Sequence, residues 1–292
     1  MNLRDKIALA RTRLAAAGIE SAEAGRDAVL LARHVLDWDR ATIYANYDQA
    51  PSQDFLDRFE ALIERRARRE PVAYIRGVQE FWNREFVVNR AVLIPRPETE
   101  LIIEEFLARL PIDAPARPRR VADIGTGSGC LAVTVAAERP YCEVIATDIS
   151  DAALNVAHEN AGRIGVSDRI AFRESAYLIG STGVFDFILS NPPYVTEFEY
   201  QRLVPEVREY EPACALVAGE DGFRDIRQIV DLGTAYLVPG GTMLIEIGYD
   251  QADAVADLVM SFPALRLVGI SNDLQNIPRV AIIERRIVEL PR

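Results

Sequence analysis

The chain has 292 residues, of which 49% are hydrophobic and 26% charged, and its 33 basic and 44 acidic side chains give a net charge of −11. This length predicts two domains, and the composition excludes disordered, collagen-like and membrane proteins. A negative field repels phosphate backbones, so direct nucleic-acid binding is not expected. Residues 1–90 hold 15 basic and 14 acidic side chains, whereas residues 91–292 hold 18 and 30. The acidity therefore belongs to the second part of the chain.

Cysteine usage and the N-terminal segment predict a cytoplasmic protein. Cys130, Cys142 and Cys214 lie far apart without metal-ligand spacing, which indicates a reducing compartment and no metal site. The first eighteen residues alternate charged and apolar side chains at helical spacing, unlike a signal peptide. No stretch approaches the ~18 apolar residues of a membrane helix, so no membrane association is expected.

The first domain is predicted to be a small helical bundle over residues 1–75. Its helices are expected over residues 3–17, 22–36 and 53–69. The third helix ends in an arginine-rich run, Arg65–Arg69. This run is a candidate contact for a partner, although a solvated helix face is the favoured interpretation.

A β-hairpin linker is predicted over residues 76–97, where aromatic and β-branched side chains flank Asn83-Arg84. A third segment, residues 98–292, is the predicted main domain. It opens with a helix over residues 98–110 and a Pro-rich spacer over residues 111–120. Seven apolar strand candidates separated by helices then follow. This alternation predicts an α/β fold with a mostly parallel, doubly wound sheet covered on both faces.

The segment Gly125-Thr126-Gly127-Ser128-Gly129 follows one predicted strand and opens a predicted helix. Glycines there permit a tight turn and let a ligand touch the backbone. The dinucleotide fingerprint is G-x-G-x-x-G, whereas here the third glycine comes one residue early. We interpret this as a loop for a ligand without phosphates, such as S-adenosylmethionine; a plain tight turn is the alternative.

Asp148 closes the next predicted strand, 23 residues after Gly125. An acidic residue at about this distance accepts hydrogen bonds from a ribose diol in dinucleotide-binding folds. The alternative is a helix N-cap, although Ser150 or Asp151 can fill that role. The loop and Asp148 together indicate an adenosine-containing cofactor, and by themselves they leave NAD and S-adenosylmethionine open.

Asn191-Pro192-Pro193-Tyr194 follows another predicted strand, so it is expected to face the same crevice as the glycine loop. The prolines fix φ and remove two backbone donors. A proline carbonyl and the Asn191 amide oxygen then offer two rigid acceptors, which suit the two hydrogens of an NH₂ group. Tyr194 supplies a flat wall for a planar amide or base.

A planar NH₂ nitrogen is a poor nucleophile, so its methylation depends mainly on alignment, which can supply roughly 7–11 kcal/mol. Acceptors on the NH₂ hydrogens also stabilise the charge that develops on nitrogen. No strong base is needed. The two histidines, His34 and His158, lie in predicted helices away from this segment and are expected to be structural.

The chain resembles the HemK/PrmC family of N5-glutamine methyltransferases over nearly its whole length. Besides the glycine loop and NPPY, the stretches that carry the likeness are Ile63–Arg66, Glu70–Gly77, Glu80–Trp82, Phe86–Asn89, Leu93–Glu100, Glu211-Pro212, Gly219–Gly222, Pro239–Gly241 and Glu246–Gly248. The sequence PRPETE within Leu93–Glu100 is the most family-specific. The resemblance implies a class I, Rossmann-like, S-adenosylmethionine-dependent methyltransferase domain behind a helical docking domain.

The resemblance further implies that Gly125 to Gly129 border S-adenosylmethionine and that Asp148 holds its ribose. Asn191 and Pro192 would bind the substrate amide, with Pro193 and Tyr194 beside it. Asn191 would also contact the cofactor. The implied substrate is the glutamine of the GGQ loop of bacterial class 1 release factors. Because exocyclic-amine methyltransferases share NPPY, the alternatives are a ribosomal-protein glutamine and the N6 of adenine in DNA or RNA.

One departure from the family pattern concerns the adenine. Family members commonly place an aspartate and an aromatic residue after the third strand. Here these positions read Ser175 and Ala176, followed by Tyr177. The adenine contacts are therefore left open.

Overall fold

The computed structural model describes residues 1–110, 113 and 117–287. The chain divides into two compact units. The first unit comprises Met1–Val78 with Val204–Tyr210, and the second comprises Gln79–Leu203 with Glu211–Arg292. The predicted boundaries at residues 75 and 97 stay predictions. Part of the predicted Pro-rich spacer lies outside the described residues.

The helices of the described residues alternate with strands only in the second unit. The helices are α1 (Leu3–Ala16), α2 (Ser21–Leu36), α3 (Arg40–Ala45), α4 (Gln53–Ala67), α5 (Val72–Arg76), α6 (Glu100–Arg109), α7 (Cys130–Glu138), α8 (Asp151–Ile164), α9 (Glu197–Tyr200), α10 (Pro205–Arg208), α11 (Arg224–Tyr236) and α12 (Ala252–Met260). The strands are β1 (Val78–Phe81), β2 (Arg84–Val87), β3 (Arg119–Ile124), β4 (Cys142–Asp148), β5 (Ile170–Glu174), β6 (Phe185–Ser190), β7 (Leu237–Glu246), β8 (Leu265–Asn272) and β9 (Pro278–Arg285).

The first unit packs α1, α2 and α4 into the predicted helical bundle, around a shared hydrophobic core. Leu14, Leu31, Phe55 and Ile63 are fully buried in this core. Sequence periodicity missed α3 and α5, which have six and five residues. Helices this short show fewer than two turns of the 3.6-residue pattern, so the pattern carries no signal for them.

The arginine-rich run Arg65–Arg69, at the C-terminal end of α4, is only partly solvated. Arg66 is 1% exposed and makes hydrogen-bonded ion pairs with Asp27, Glu23 and Glu206 at 2.7, 2.9 and 2.8 Å. Arg69 also donates to Glu206, at 2.6 Å. Burial raises the pKa of the Asp27 carboxyl, while Arg66 acts in the opposite direction. The expectation of a solvated helix face is therefore wrong for Arg66, whose charge is paired with carboxylates of the same unit.

Seven strands of the second unit form one sheet in the order β5-β4-β3-β6-β7-β9-β8. Strand β9 runs antiparallel to both of its neighbours, β7 and β8. The other four pairings, which join β5, β4, β3, β6 and β7 in that order, are parallel. Buried apolar side chains fill both faces. The predicted mostly parallel, doubly wound α/β sheet of seven strands is confirmed.

The hairpin of β1 and β2 turns at Trp82 and Asn83, which both have positive φ, 50° and 55°. It is tied to α8, because the Asn160 side chain bonds both the N–H and the carbonyl of Val87, at 2.7 and 3.0 Å. Arg84 also donates to Glu138 at the end of α7, at 2.8 Å. The hairpin thus belongs structurally to the sheet unit.

No helix among the described residues is long and apolar enough to cross a membrane.

The buried ion cluster yields a stability prediction. We expect Arg66→Met to lower the free energy of unfolding of the first unit by about 3–5 kcal/mol, since removing one partner leaves buried carboxylates uncompensated. Urea titration of the full chain, followed by circular dichroism, measures this change. Arg68→Met, at the C-cap of the same helix, is the matched control, because its side chain is 68% exposed. Its effect should stay within about 0.5 kcal/mol. Equal losses in the two variants would contradict the assignment.

Candidate active site

A cavity of about 660 Å³ lies at the carboxyl ends of the central parallel strands. The segments that follow β3, β4, β5 and β6 all contribute to its wall. Carboxyl ends of parallel strands share one edge of the sheet, and this edge is where such folds bind ligands. The topology therefore brings the glycine loop, Asp148 and the NPPY segment together, as the sequence predicted.

The glycine loop after β3 uses left-handed backbone at all three glycines, with φ of 71°, 54° and 80° at Gly125, Gly127 and Gly129. Gly125 and Gly127 line the cavity, and a Cβ on either would meet open space. Gly129 instead faces α8, where a Cβ would lie 3.0 Å from that of Ala157. The first two glycines thus leave room for a ligand, and the third permits close helix packing.

Asp123 lies buried beneath the loop and fixes its shape. Its Oδ2 accepts the Thr126 hydroxyl at 2.7 Å and the Ala132 N–H at 3.1 Å. Burial raises the pKa of Asp123 to about 7. The Thr126 hydroxyl therefore points inward although Thr126 lines the cavity. Ser128 also lines the cavity, and its carbonyl accepts the Asn160 amide at 2.9 Å.

The Asp148 carboxylate is held on the cavity wall by backbone donors. Its Oδ2 accepts the Gly127 N–H at 2.9 Å, and its Oδ1 accepts the Ser150 N–H at 3.0 Å. Ser150, not Asp148, caps α8 with its side chain. A carboxylate oxygen has two lone pairs, so each oxygen can accept a second hydrogen bond. This arrangement fits a vicinal diol such as that of a ribose.

The segment after β5 lines the same cavity with Ser175, Ala176 and Tyr177. Tyr177 has a positive φ of 55°, and its hydroxyl donates to Asp225 of α11 at 2.7 Å. The Ser175 hydroxyl is turned to backbone carbonyls of its own loop. Sequence reasoning left these positions open, because the family pattern of aspartate and aromatic residue is absent here.

Asn191 and Pro192 stand between two cavities. Both line the large cavity, which Pro193 also lines, and both line a second cavity of about 40 Å³ together with Tyr194. One side of the Asn191 amide is fixed, because its Nδ2 donates to the Thr99 hydroxyl at 2.9 Å. The remaining polar atom of that amide is the acceptor Oδ1.

Thr99 belongs to a buried polar chain that sequence reasoning missed. Its hydroxyl donates to Glu246 Oε2 at 2.6 Å, and the Tyr194 hydroxyl donates to Glu246 Oε1 at 3.2 Å. Burial raises the pKa of Glu246, which is 1% exposed, to about 7. The only sequence signal for Thr99 and Glu246 was their place in two of the stretches that carry the family likeness.

The PRPETE stretch ties several segments to this site. Arg96 pairs with Glu211 at 2.6 Å, and the other Glu211 oxygen accepts the Ile94 N–H at 3.0 Å. Glu100 accepts the Trp82 N–H of the hairpin at 2.7 Å. Arg96, Thr99 and Glu100 of this stretch thus bond to three different parts of the second unit: Glu211, Glu246 and the hairpin.

The seven-stranded sheet with its cavity at the strand ends is that of the class I methyltransferases. Two family models match the chain: the PrmC N-terminal domain over residues 5–77 and the methyltransferase small domain over residues 98–208. A solved methyltransferase from Pyrococcus furiosus shares the fold, with a TM-score of 0.54 at 16% identity over 77% of this chain and 99% of that one.

Relatives of nearly the same length are more informative. A release factor glutamine methyltransferase of Cereibacter sphaeroides is 44% identical over 280 residues, which are 96% of this chain and 97% of that protein. One of Koribacter versatilis is 42% identical over 87% of this chain and 89% of that protein. The chain belongs to the release factor glutamine methyltransferase family. The predicted enzyme class and its cofactor, S-adenosylmethionine, are confirmed at this level.

The glycine loop gives a paired prediction. Gly129→Ala should lower the free energy of unfolding by about 2–4 kcal/mol, because left-handed strain adds to the collision with Ala157. Gly127→Ala should lower the free energy of unfolding only by the backbone strain, about 1–2 kcal/mol. It should weaken S-adenosylmethionine binding more than Gly129→Ala does. Urea titration and calorimetry measure the two effects. The same stability loss in both variants would contradict the different roles of the two glycines.

Proposed function

We propose that this protein transfers a methyl group from S-adenosylmethionine to the side-chain nitrogen, N5, of the glutamine in the GGQ loop of class 1 peptide chain release factors. The observation that carries the proposal is the position of Asn191, which borders both the large cavity and the small one. The names of the full-length relatives support release factors as the substrate class. The cytoplasmic location and the docking role of the first unit stay predictions.

The cofactor is assigned to the large cavity. Asp148 would hold the ribose, while Gly125 and Gly127 would let the cofactor approach the backbone, with Thr126 and Ser128 beside them. Gly129 would act indirectly, through the packing of α8. When bound, S-adenosylmethionine supplies a methyl group that is electrophilic because it is attached to a sulfonium sulfur.

The glutamine amide is assigned to the small cavity. Asn191 Oδ1 and the Pro192 carbonyl would accept the two NH₂ hydrogens, which orients the nitrogen and stabilises positive charge developing on it. Pro193 keeps this turn rigid, because its φ is fixed. Tyr194 forms one wall of the cavity.

The names of the relatives, which are glutamine methyltransferases, favour an amide over a nucleobase as the methyl acceptor. The net charge of −11 also opposes a polyanionic substrate. We therefore propose a protein partner and no direct nucleic-acid contact.

A direct assay tests the substrate. Incubation of a class 1 release factor with the protein and S-adenosylmethionine should add one methyl group to the GGQ peptide, detected by mass spectrometry. A release factor carrying GGA instead is the control and should gain none. Methylation of ribosomal proteins or of adenine in nucleic acid, with an unmodified GGQ peptide, would overturn the proposal in favour of that substrate.

The amide acceptor gives a separate prediction. Asn191→Ala should abolish methyl transfer, because the substrate nitrogen loses an orienting acceptor, while S-adenosylmethionine binding changes by no more than about 1–2 kcal/mol. Asn155→Ala, which removes an exposed amide of α8, is the matched control and should retain full activity. Full activity of the Asn191→Ala variant would refute the assigned role.

A further inference from the structure

A chain of hydrogen bonds joins Glu246 to the proposed substrate acceptor. Glu246 lies at the end of β7, Thr99 lies just before α6, and Asn191 follows β6. The Asn191 Nδ2 donates to Thr99 Oγ1 at 2.9 Å, and Thr99 Oγ1 donates to Glu246 Oε2 at 2.6 Å. Thr99 and Glu246 are each 1% exposed, so water does not compete with these bonds.

The donor and the acceptor of each hydrogen bond in this series are determined by the Glu246 carboxylate. A threonine hydroxyl has one hydrogen and can donate only once. When the Glu246 carboxylate takes that hydrogen, Thr99 faces Asn191 solely as an acceptor. The Asn191 amide must then turn its NH₂ toward Thr99, and its Oδ1 is left as the acceptor at the two cavities.

We propose that Glu246 is a positioning residue that acts through Thr99. It fixes the orientation of the Asn191 amide so that Oδ1, and not the NH₂ group, faces the substrate NH₂ group as an acceptor. This inference rests on the proposed function. An amide turned the other way would present its own NH₂ to the substrate, donor against donor. The site would then hold neither the orientation nor the charge stabilisation that transfer requires.

Protonation of Glu246 removes the fixed direction. A protonated carboxyl can donate to Thr99, which frees the Thr99 hydrogen for Asn191 Oδ1 and reverses the chain. Burial raises the pKa of Glu246 to about 7. The hydrogen bonds therefore reverse near neutral pH. The active arrangement is the one at pH values above the pKa of Glu246.

Among Glu246, Tyr194 and Cys130, only the Glu246 carboxyl is expected to change its protonation near neutral pH. The Tyr194 hydroxyl is kept protonated, since burial raises its pKa. Burial likewise raises the pKa of the Cys130 thiol to about 12. Arg279 favours the Glu246 carboxylate, and the charge of Glu98 opposes it. Asp123, beneath the glycine loop, also has a pKa raised to about 7 by burial, so the test must separate the two carboxyls.

The first arm of the test needs no substrate. With ¹⁵N-labelled asparagine, the side-chain NH₂ signals of Asn191, assigned by their loss in Asn191→Ala, should shift with pH with a midpoint of about 7. The shift should disappear in Glu246→Gln and Thr99→Val and persist in Thr99→Ser. Asp123 is intact in all of these variants. An Asn191 signal that titrates identically in wild type and Glu246→Gln, or that does not titrate in wild type, overturns the proposal.

The second arm follows single-turnover methyl transfer to the release factor at saturating cofactor. Wild type and Thr99→Ser should lose activity as pH falls through about 7. Thr99→Val and Glu246→Gln should be slower by roughly tenfold at high pH, the effect of losing one orienting hydrogen bond, and should lack the acid limb. Unchanged rates and pH profiles would overturn the inference. If wild type transfers no methyl group, the proposed function fails, and the first arm still decides the inference.

Discussion

The buried carboxylate of Glu246 constrains the arrangement of the whole site. A carboxylate removed from water must receive hydrogen bonds, and here the donors are the hydroxyls of Thr99 and Tyr194. These donors come from the PRPETE and NPPY segments, which are distant in sequence from Glu246 and from each other. Hydrogen bonds to this one carboxyl group at the end of β7 therefore join both segments at the edge of the sheet where β6 places Asn191. Asn191, which borders both cavities, is linked to the same carboxyl group through Thr99.

The cofactor side of the site is organised on the same principle. Asp148 accepts the Gly127 N–H, and the buried Asp123 accepts the Thr126 hydroxyl, so the loop is held from both sides by carboxylates. Glycine at 125 and 127 is required by the backbone conformation and by the room left beside the cavity. The site is thus shaped before any ligand arrives, which reduces the ordering that binding would otherwise require.

The sequence allowed the sheet, the long helices, the glycine loop, Asp148 and NPPY to be predicted, because each is a local pattern. The site roles of Thr99 and Glu246 were not predicted, because their contact spans 147 positions and neither residue type indicates a site by itself. The inward turn of the Thr126 hydroxyl and the packing role of Gly129 depend on Asp123 and Ala157. These neighbours become visible only when β3, α7 and α8 are assembled.

The arginine run of α4 shows why charge along a sequence is a weak guide to an interface. Arg66 and Arg69 pair with Glu206, Arg65 pairs with Glu70, and Arg68 pairs with Glu64. The positive charge of the run is thus balanced within the first unit itself. The carboxylate of Glu206 comes from a segment, Val204–Tyr210, that precedes Glu211 directly in the chain. The run is therefore no unpaired basic stripe, and its net charge gives no argument for a docking surface on this unit.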